Sequence, residues 1–395
     1  MKSYAYTTLL AGGLLLPVTQ AASLYDTAPP IGLPVSHAVQ YAAYINAGWD
    51  SNTSSWHDGK GSAYTSFGVR ATYAEYESVT KAAYNANIGG TYYFKDAYGT
   101  DQKLFSDINL TGSLSHHMGS GSVLNMSGNI GYRAEPNYAS GISSARAQGD
   151  VFTWGLNMDY SRPMDARWSW NIGASTDGYY YTEKAYRIDD RFYVGARTGL
   201  SYKYTERTSF SGNLSWRYDG REHGYDANNV YAGLGVAHSI DAVSSVSASV
   251  NAQLKFIDGD CNVYPNVRFG YNRRLTDVLN MSLYVSLDNE NVNTYLGENY
   301  NYLSNATWRS GLTITYHITP QVSVFGGADL MFCNYSKGTN GLGSSDQRTY
   351  SVNAGFSYAV TKSLAWSASY KFTQGNKAAG DYTRNIIQSG LTYSF

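Results

Sequence analysis

The sequence predicts an all-β fold: a transmembrane antiparallel up-and-down β-barrel of about 18 strands, with 16 as the alternative. Three observations predict it. Apolar and polar residues alternate through stretches of about 10–13 residues, close to the length a tilted membrane-spanning strand needs. Tight turns and longer polar loops join those stretches in alternation. The composition suits strand rather than helix, with 38 Tyr and 40 Gly against 8 Pro in 395 residues. Mean hydropathy is only −0.37, and no run of apolar residues is long enough for a membrane helix. That value does not count against a membrane barrel, because a strand with one lipid face and one wet face averages out near polar.

Residues 1–21 read as a secretory signal: Lys2, a short apolar run from Leu9 to Leu16, and Thr19-Gln20-Ala21 with small residues suited to cleavage after Ala21. No cysteine follows, so a lipid anchor is not expected. Residues 22–39 form a short periplasmic tether with Pro29, Pro30 and Pro34, too small for a plug domain. Residues 40–395 carry the barrel. Its tight turns share a form in which Tyr stands three residues before Thr or Pro: Tyr202 and Thr205, Tyr316 and Thr319, Tyr358 and Thr361, and more loosely Tyr160 and Pro163. The Tyr ring suits a membrane–water boundary, and the Thr or Pro bends the chain. Further turns fall near Glu77, Met118, Asp241 and Asp277. From Asp165 onward turns recur roughly every 40 residues, one hairpin plus one loop, without the internal likeness of a solenoid repeat. The loops Asp50–Ser62, Ala134–Gly149, Tyr179–Asp190, Asn291–Ser304 and Asn334–Asp346 are polar and rich in Gly or Asn. A soluble sandwich or propeller also has many short strands. It does not account for the matched Tyr turns together with the turn–loop asymmetry.

Within a strand, alternate residues face opposite sides. That parity sends Phe192, Val194, Leu200, Phe210, Leu214, Trp216, Val250, Phe256, Trp308 and Ile314 outward. It sends Ser, Asn, Gln, Gly and charged residues inward. Ten inward cations are expected to line a pore: Arg70, Arg133, Arg197, Lys203, Arg217, Lys255, Arg268, Arg309, Lys371 and Arg384. The clear inward acids are fewer, namely Asp159, Asp288 and Asp329. A filled small barrel would pack size-matched residues inside, whereas 16–18 strands leave room for water. A basic lumen favours anions, unless loop acids such as Asp189, Asp190, Asp226 or Glu298 neutralise it.

Sites of chemistry are weakly signalled. Net charge is −1 and gives no reason to expect nucleic acid. His37, His57, His116, His117, His223, His238 and His317 fall in the tether, loops or turns, and no nucleophile elbow accompanies them. No catalytic residue, metal or cofactor is expected. Asp258-Gly259-Asp260 and Asp189-Asp190 read as hydrophilic loops before calcium ligands. Cys261 and Cys333 fit no metal spacing. An exported route permits a disulfide between them, and two separate thiols is the preferred reading. Tyr179-Tyr180-Tyr181 suits an aromatic belt better than a sugar-stacking mouth. Ala134–Gly149, with Glu135 and Arg146, is the longest outer loop and a modest candidate for a constriction.

The chain's last residues alternate and stop on an aromatic: Gln388, Gly390, Tyr393 and Phe395 mark the pattern polar-x-Gly-x-x-aromatic-x-Phe. This resembles the terminal β-signal of bacterial outer-membrane proteins. With the signal segment, the Tyr turns and the strand number, the mature chain is similar to the β-barrel porins described as OmpL-like. The resemblance implies the outer membrane of a Gram-negative-type bacterium, contact with its lipid, insertion by the barrel assembly machinery, and passive transport of small hydrophilic solutes. Homotrimers are common in that class, though no interface is legible in the sequence. The alternatives are a structural or adhesive barrel whose outer loops bind glycans or host surfaces and, behind it, an outer-membrane hydrolase.

Overall fold

The computed structural model describes residues 39–53, 59–76, 79–95, 102–133, 150–182, 190–222, 225–290, 302–338, 345–377 and 380–395. The expected signal and almost all of the tether lie outside them. So do His37, His57, Glu77, Glu135, Arg146, Asp189, His223 and Glu298.

Eighteen strands follow one another: β1 (Gln40–Asp50), β2 (Ser62–Tyr76), β3 (Thr80–Tyr93), β4 (Leu104–His117), β5 (Val123–Arg133), β6 (Val151–Pro163), β7 (Trp168–Tyr181), β8 (Arg191–Lys203) and β9 (Thr208–Arg221) make the first half. The second half is β10 (Ala227–Ser239), β11 (Ser244–Ile257), β12 (Asp260–Thr276), β13 (Leu279–Glu290), β14 (Tyr302–Thr319), β15 (Val322–Gly338), β16 (Ser345–Ala359), β17 (Leu364–Lys377) and β18 (Gly380–Ser394). Each pairs antiparallel with its neighbours in sequence, and β1 pairs with β18, so one sheet closes on itself. This settles the strand number at 18 rather than 16. Followed once round the wall, the pairings return to β1 displaced by about 22 residues, which sets a strand tilt of about 40° and a backbone diameter of about 35 Å.

Closure leaves no unpaired edge, the condition a sheet must meet in hydrocarbon. The outer face meets the other condition. Leu234 is 73% exposed, Val263 66% and Ile88 61%, values that suit lipid contact and not water. Aromatic rings bound this belt. Toward the short turns stand Tyr41, Trp168, Tyr202, Tyr316, Tyr358 and Tyr393; toward the long loops stand Trp49, Phe152, Phe192, Trp308, Phe332 and Tyr350. On β8 the stretch from Phe192 to Tyr202 rises about 25 Å at about 3.3 Å per residue and that tilt, the height of a barrel's apolar band.

The short turns are built by side-chain capping. Thr205 Oγ1 accepts from the backbone N–H of Arg207 (3.2 Å) and Thr208 (3.0 Å). Thr319 does the same for Gln321 (3.2 Å) and Val322 (3.0 Å), and Thr361 for Ser363 (3.2 Å) and Leu364 (3.0 Å). In the fourth turn Pro163 ends the strand and the cap is Asp165, whose Oδ1 accepts from Arg167 (2.6 Å) and Trp168 (2.7 Å). These are local side-chain turns in which a Thr or Asp oxygen holds the chain reversal.

Bonding to the Arg167 amide first, and then to that of Trp168, holds the Asp165 carboxyl below its ordinary range; the Val243 amide does so for Asp241. A lowered pKa gives stability that is present above the unfolded value, about 4, and lost as pH falls through the folded one. Acid should therefore loosen the Asp165 and Asp241 turns and leave the Thr205 and Thr361 turns unchanged. Hydrogen exchange at the Trp168 and Thr208 amides tests this, with Asp165→Ala reproducing the acid effect at neutral pH. Equal loosening of both turn types in acid would refute it.

Some expected loops are strand. Tyr179–Tyr181 end β7, Asn334 lies in β15, and Asp346 lies in β16. The Asp258-Gly259 stretch is a two-residue hairpin turn with φ of 53° and 77°, the left-handed pair that Asp-Gly favours. It is a tight connection on the side where most connections are longer.

Candidate functional site: a charged, packed inner wall

Inward side chains are exposed near the short turns and buried near the long loops. Thr72, Asn85, Lys203, Asn272 and Arg274 are exposed at the first end. At the other, Asn229, Gln253, Lys255, Asn266, Asn305, Thr307 and Arg309 are all 5% exposed or less. The inner wall is thus open at one mouth and packed toward the other.

Polar chains hold the packed band. Gln253 donates to Asn229 Oδ1 (2.8 Å), Asn266 donates to Gln253 Oε1 (3.0 Å), and the Asn289 backbone N–H donates to Asn266 Oδ1 (3.1 Å). Lys255 Nζ reaches Asn289 Oδ1 at 3.3 Å. These bonds offset the cost of burying Gln253, Asn266 and the Asn229 side-chain carbonyl, while Asn229 Nδ2 and the Asn305 amide lie buried outside them.

A second device makes room for them. Several inward asparagines lie across a directly paired glycine on the next strand, and five of these pairs are in close contact: Asn46 and Gly390, Asn129 and Gly155, Asn171 and Gly199, Asn251 and Gly233, Asn353 and Gly327. A Cβ added at any of these glycines would meet its asparagine's Oδ1 within contact distance. Inward side chains converge on a concave wall, and a glycine opposite each amide gives it space.

The ten expected lumen cations are distributed unevenly. Arg70 is inward, donates to Asn87 Oδ1 (3.3 Å) and lies 4.6 Å over the Tyr44 ring. Arg133 ends β5 opposite Asp107. Arg197 pairs with Asp159 and donates to Asn157 Oδ1 (2.7 Å). Arg217 pairs with Asp219 at 2.9 Å. Arg268 and Arg309 share Asp288, at 3.1 Å and 3.8 Å. Arg384 is buried against Asp50, its Nε 2.9 Å from Oδ1. Lys255 is fully buried, and Lys371 faces inward beside Asn353. Lys203 sits exposed at the short-turn rim, away from the band.

The wall's own aspartates do the neutralising that loop acids were candidates for. Asp50, Asp107, Asp177 and Asp219 join Asp159, Asp288 and Asp329 on the inner face. Parity alone could have found Asp219, two residues from Arg217, and Asp177, two from Tyr179. Asp50 was hidden because it reads as the first residue of a loop. Of the loop acids that are described, Asp190 accepts from the Tyr181 backbone N–H (2.6 Å), while Asp226 bonds the Tyr218 hydroxyl (2.6 Å) and the Arg221 backbone N–H (3.0 Å). Both brace strand ends.

His116 and His238 each bond a paired threonine hydroxyl at 2.9 Å, Thr80 and Thr208 respectively, near the short turns. Cys261 and Cys333 are not joined in a disulfide; Cys261 is exposed and Cys333 is buried. Among the described residues no group of three or more His, Cys, Asp or Glu could hold a metal ion. The tyrosine triplet splits by parity, with Tyr180 joining the outer belt while Tyr181 is buried inward. At the seam, Gln388 accepts from the Tyr64 hydroxyl (3.0 Å), the Phe395 backbone N–H donates to Tyr41 O (3.0 Å), and Phe395 stacks on Tyr41 and Tyr393.

These features define a large closed strand barrel with a lipid-suited outside and a charged inner wall. No family model matches the chain, and no curated protein matches it in sequence. Among solved structures it is similar to OccK2 (OpdF) of Pseudomonas aeruginosa, with 10% identity over 90% of this chain and 98% of that one at a TM-score of 0.47. It is also similar to OccAB2 of Acinetobacter baumannii (10%, 92% and 99%, TM-score 0.46) and to the FrpB iron transporter of Neisseria meningitidis (9%, 90% and 82%, TM-score 0.45).

Proposed function

We propose that the chain is an outer-membrane, porin-type channel for passive diffusion of small hydrophilic solutes. The observation that carries this reading is the division of one closed sheet into an apolar outside of membrane height and a polar, charged inside. Eighteen strands enclose enough space for water, and the open mouth toward the short turns shows inward polar groups in contact with it. The packed band toward the long loops would act as the size filter. Inward Arg and Lys still outnumber inward Asp, but most are paired, so the expected preference for anions is weak.

Purified barrel in a planar bilayer should conduct in discrete steps. A KCl gradient should give a small reversal potential of the sign set by chloride, and liposomes should swell fastest with the smallest sugars. Clear cation preference would refute the electrostatic part. Absence of any conductance would refute the channel and favour the second reading, a structural or adhesive barrel, which the packed band supports because a sealed wall would be packed in the same way.

A further inference from the structure

One part of the packed wall is built differently from the rest. On β8 and β9 the Arg217 guanidinium lies 3.7 Å over the Tyr193 ring, and its Nε donates to Asp219 Oδ1 at 2.9 Å. Arg191 approaches the same ring at 5.4 Å and the Tyr179 ring at 4.9 Å. Asp177, Tyr193 and Asp219 stand in one row of direct cross-strand pairs. Arg217 is directly paired with Gly195, two residues along β8 from Tyr193.

Among the other ion-paired wall arginines, the side chains of Arg309 and Arg384 are sunk, at 6% and 5% exposed, while Arg197 keeps 17% and Arg268 32%. Arg217 keeps 42% of its side chain exposed, while Asp219 beneath it keeps 6%. The carboxylate is buried, and the arginine side chain above it is partly exposed.

That geometry has a consequence for binding. A stacked and ion-paired arginine has already lost the side-chain freedom that binding would otherwise cost, so a ligand meets a pre-organised fork. Asp219 takes the Nε side. The terminal Nη groups remain to hold a carboxylate by two parallel bonds. Three guanidiniums, Arg191, Arg217 and Arg221, stand against the two carboxylates Asp177 and Asp219, so the patch keeps one net positive charge, which suits a monocarboxylate. Asp177 and Asp219 add acceptors for ligand hydroxyls, and the Tyr179 hydroxyl can serve as donor or acceptor.

We propose that this patch is a solute-binding subsite for small polyhydroxylated monocarboxylates, with Arg217 taking the carboxylate and Asp177 accepting from a hydroxyl. The inference rests on the channel reading. The site selects among solutes entering the packed half of the barrel.

Gluconate and sorbitol test it, since they share a hydroxylated six-carbon chain and differ in the carboxylate. In single-channel recordings gluconate should cause brief concentration-dependent interruptions of the KCl current, and sorbitol should not. Arg217→Lys keeps the charge and loses both the fork and the stack. It should weaken the gluconate block, measured relative to the variant's own unit conductance in KCl, by about tenfold or more. Equal interruption by the two solutes, or undiminished block in Arg217→Lys, would overturn the subsite. If no channel forms at all, calorimetry on the folded barrel in detergent separates the two readings. Heat on gluconate addition that sorbitol and Arg217→Lys both lack would keep the subsite and remove the channel; no heat would remove both.

Discussion

Arg384→Met should lower the stability of the folded barrel by about 3–5 kcal/mol, the usual cost of leaving half of a buried ion pair behind. The pair lies at the seam where β18 meets β1. Asp50 and Arg384 expose 1% and 5% of their side chains. The Asp50 carboxylate also accepts from the Asn52 backbone N–H at 3.1 Å. Without the guanidinium, a carboxylate stays buried where closure depends on nine paired residues, from Ala42 with Ser394 to Asp50 with Ile386. An opened seam exposes two strand edges to lipid, so local damage is amplified into loss of the folded form. Urea titration in detergent, read by the mobility shift between folded and unfolded barrel on an unheated gel, measures the effect. The double variant Asp50→Leu with Arg384→Met removes both charges and should recover most of the loss, because an apolar replacement of a buried pair is often close to neutral. A single variant unfolding at the wild-type urea concentration would show that the seam is held elsewhere.

The second large effect belongs to Gly390. A methyl group there would collide with the Asn46 amide and lie 2.8 Å from the Ile45 carbonyl oxygen. Asn46 is itself 2% exposed, with little space to turn away. Gly390→Ala should cost about 1–3 kcal/mol through overpacking and reduce the folded fraction recovered on refolding. The cross-strand swap, Asn46→Gly with Gly390→Asn, keeps one glycine and one amide in the same paired position. If the steric pairing is what matters, the swap should fold better than Gly390→Ala. If glycine is required at 390 as part of a recognition signal, the swap should insert into cell membranes no better than the single variant even though it refolds in detergent.

These seam predictions show where reading the sequence stops. The outward set on β8, Phe192 to Tyr202, follows from alternation alone, since each side chain's face depends only on its own strand's parity. The tight turns were legible for the same reason: Thr205 and Thr361 bond amides two and three residues away, so all the partners lie within one short window. The inner wall was only half legible. Parity placed Arg197, Arg217 and Arg268 inward, but their relation to Asp159, Asp219 and Asp288 depends on register and on which strand lies next. Asp50 was misread because nothing local says that a strand continues to the last residue before a loop. Its partner is 334 positions away. The five asparagine–glycine pairs were invisible, since either residue alone reads as ordinary loop or strand punctuation.

The sequence by itself determined that this chain is a succession of two-faced strands with capped reversals, because those properties arise from side-chain alternation and from hydrogen bonds spanning a few residues. Only the tertiary structure decided that the strands number 18, that β18 closes on β1, and that the wall is open at one mouth and packed at the other. Closure and packing arise between residues far apart in the chain, where stagger and curvature set which side chains converge. That is also why Arg217 could be predicted to face inward but not to be held open over Tyr193 while its neighbours were buried.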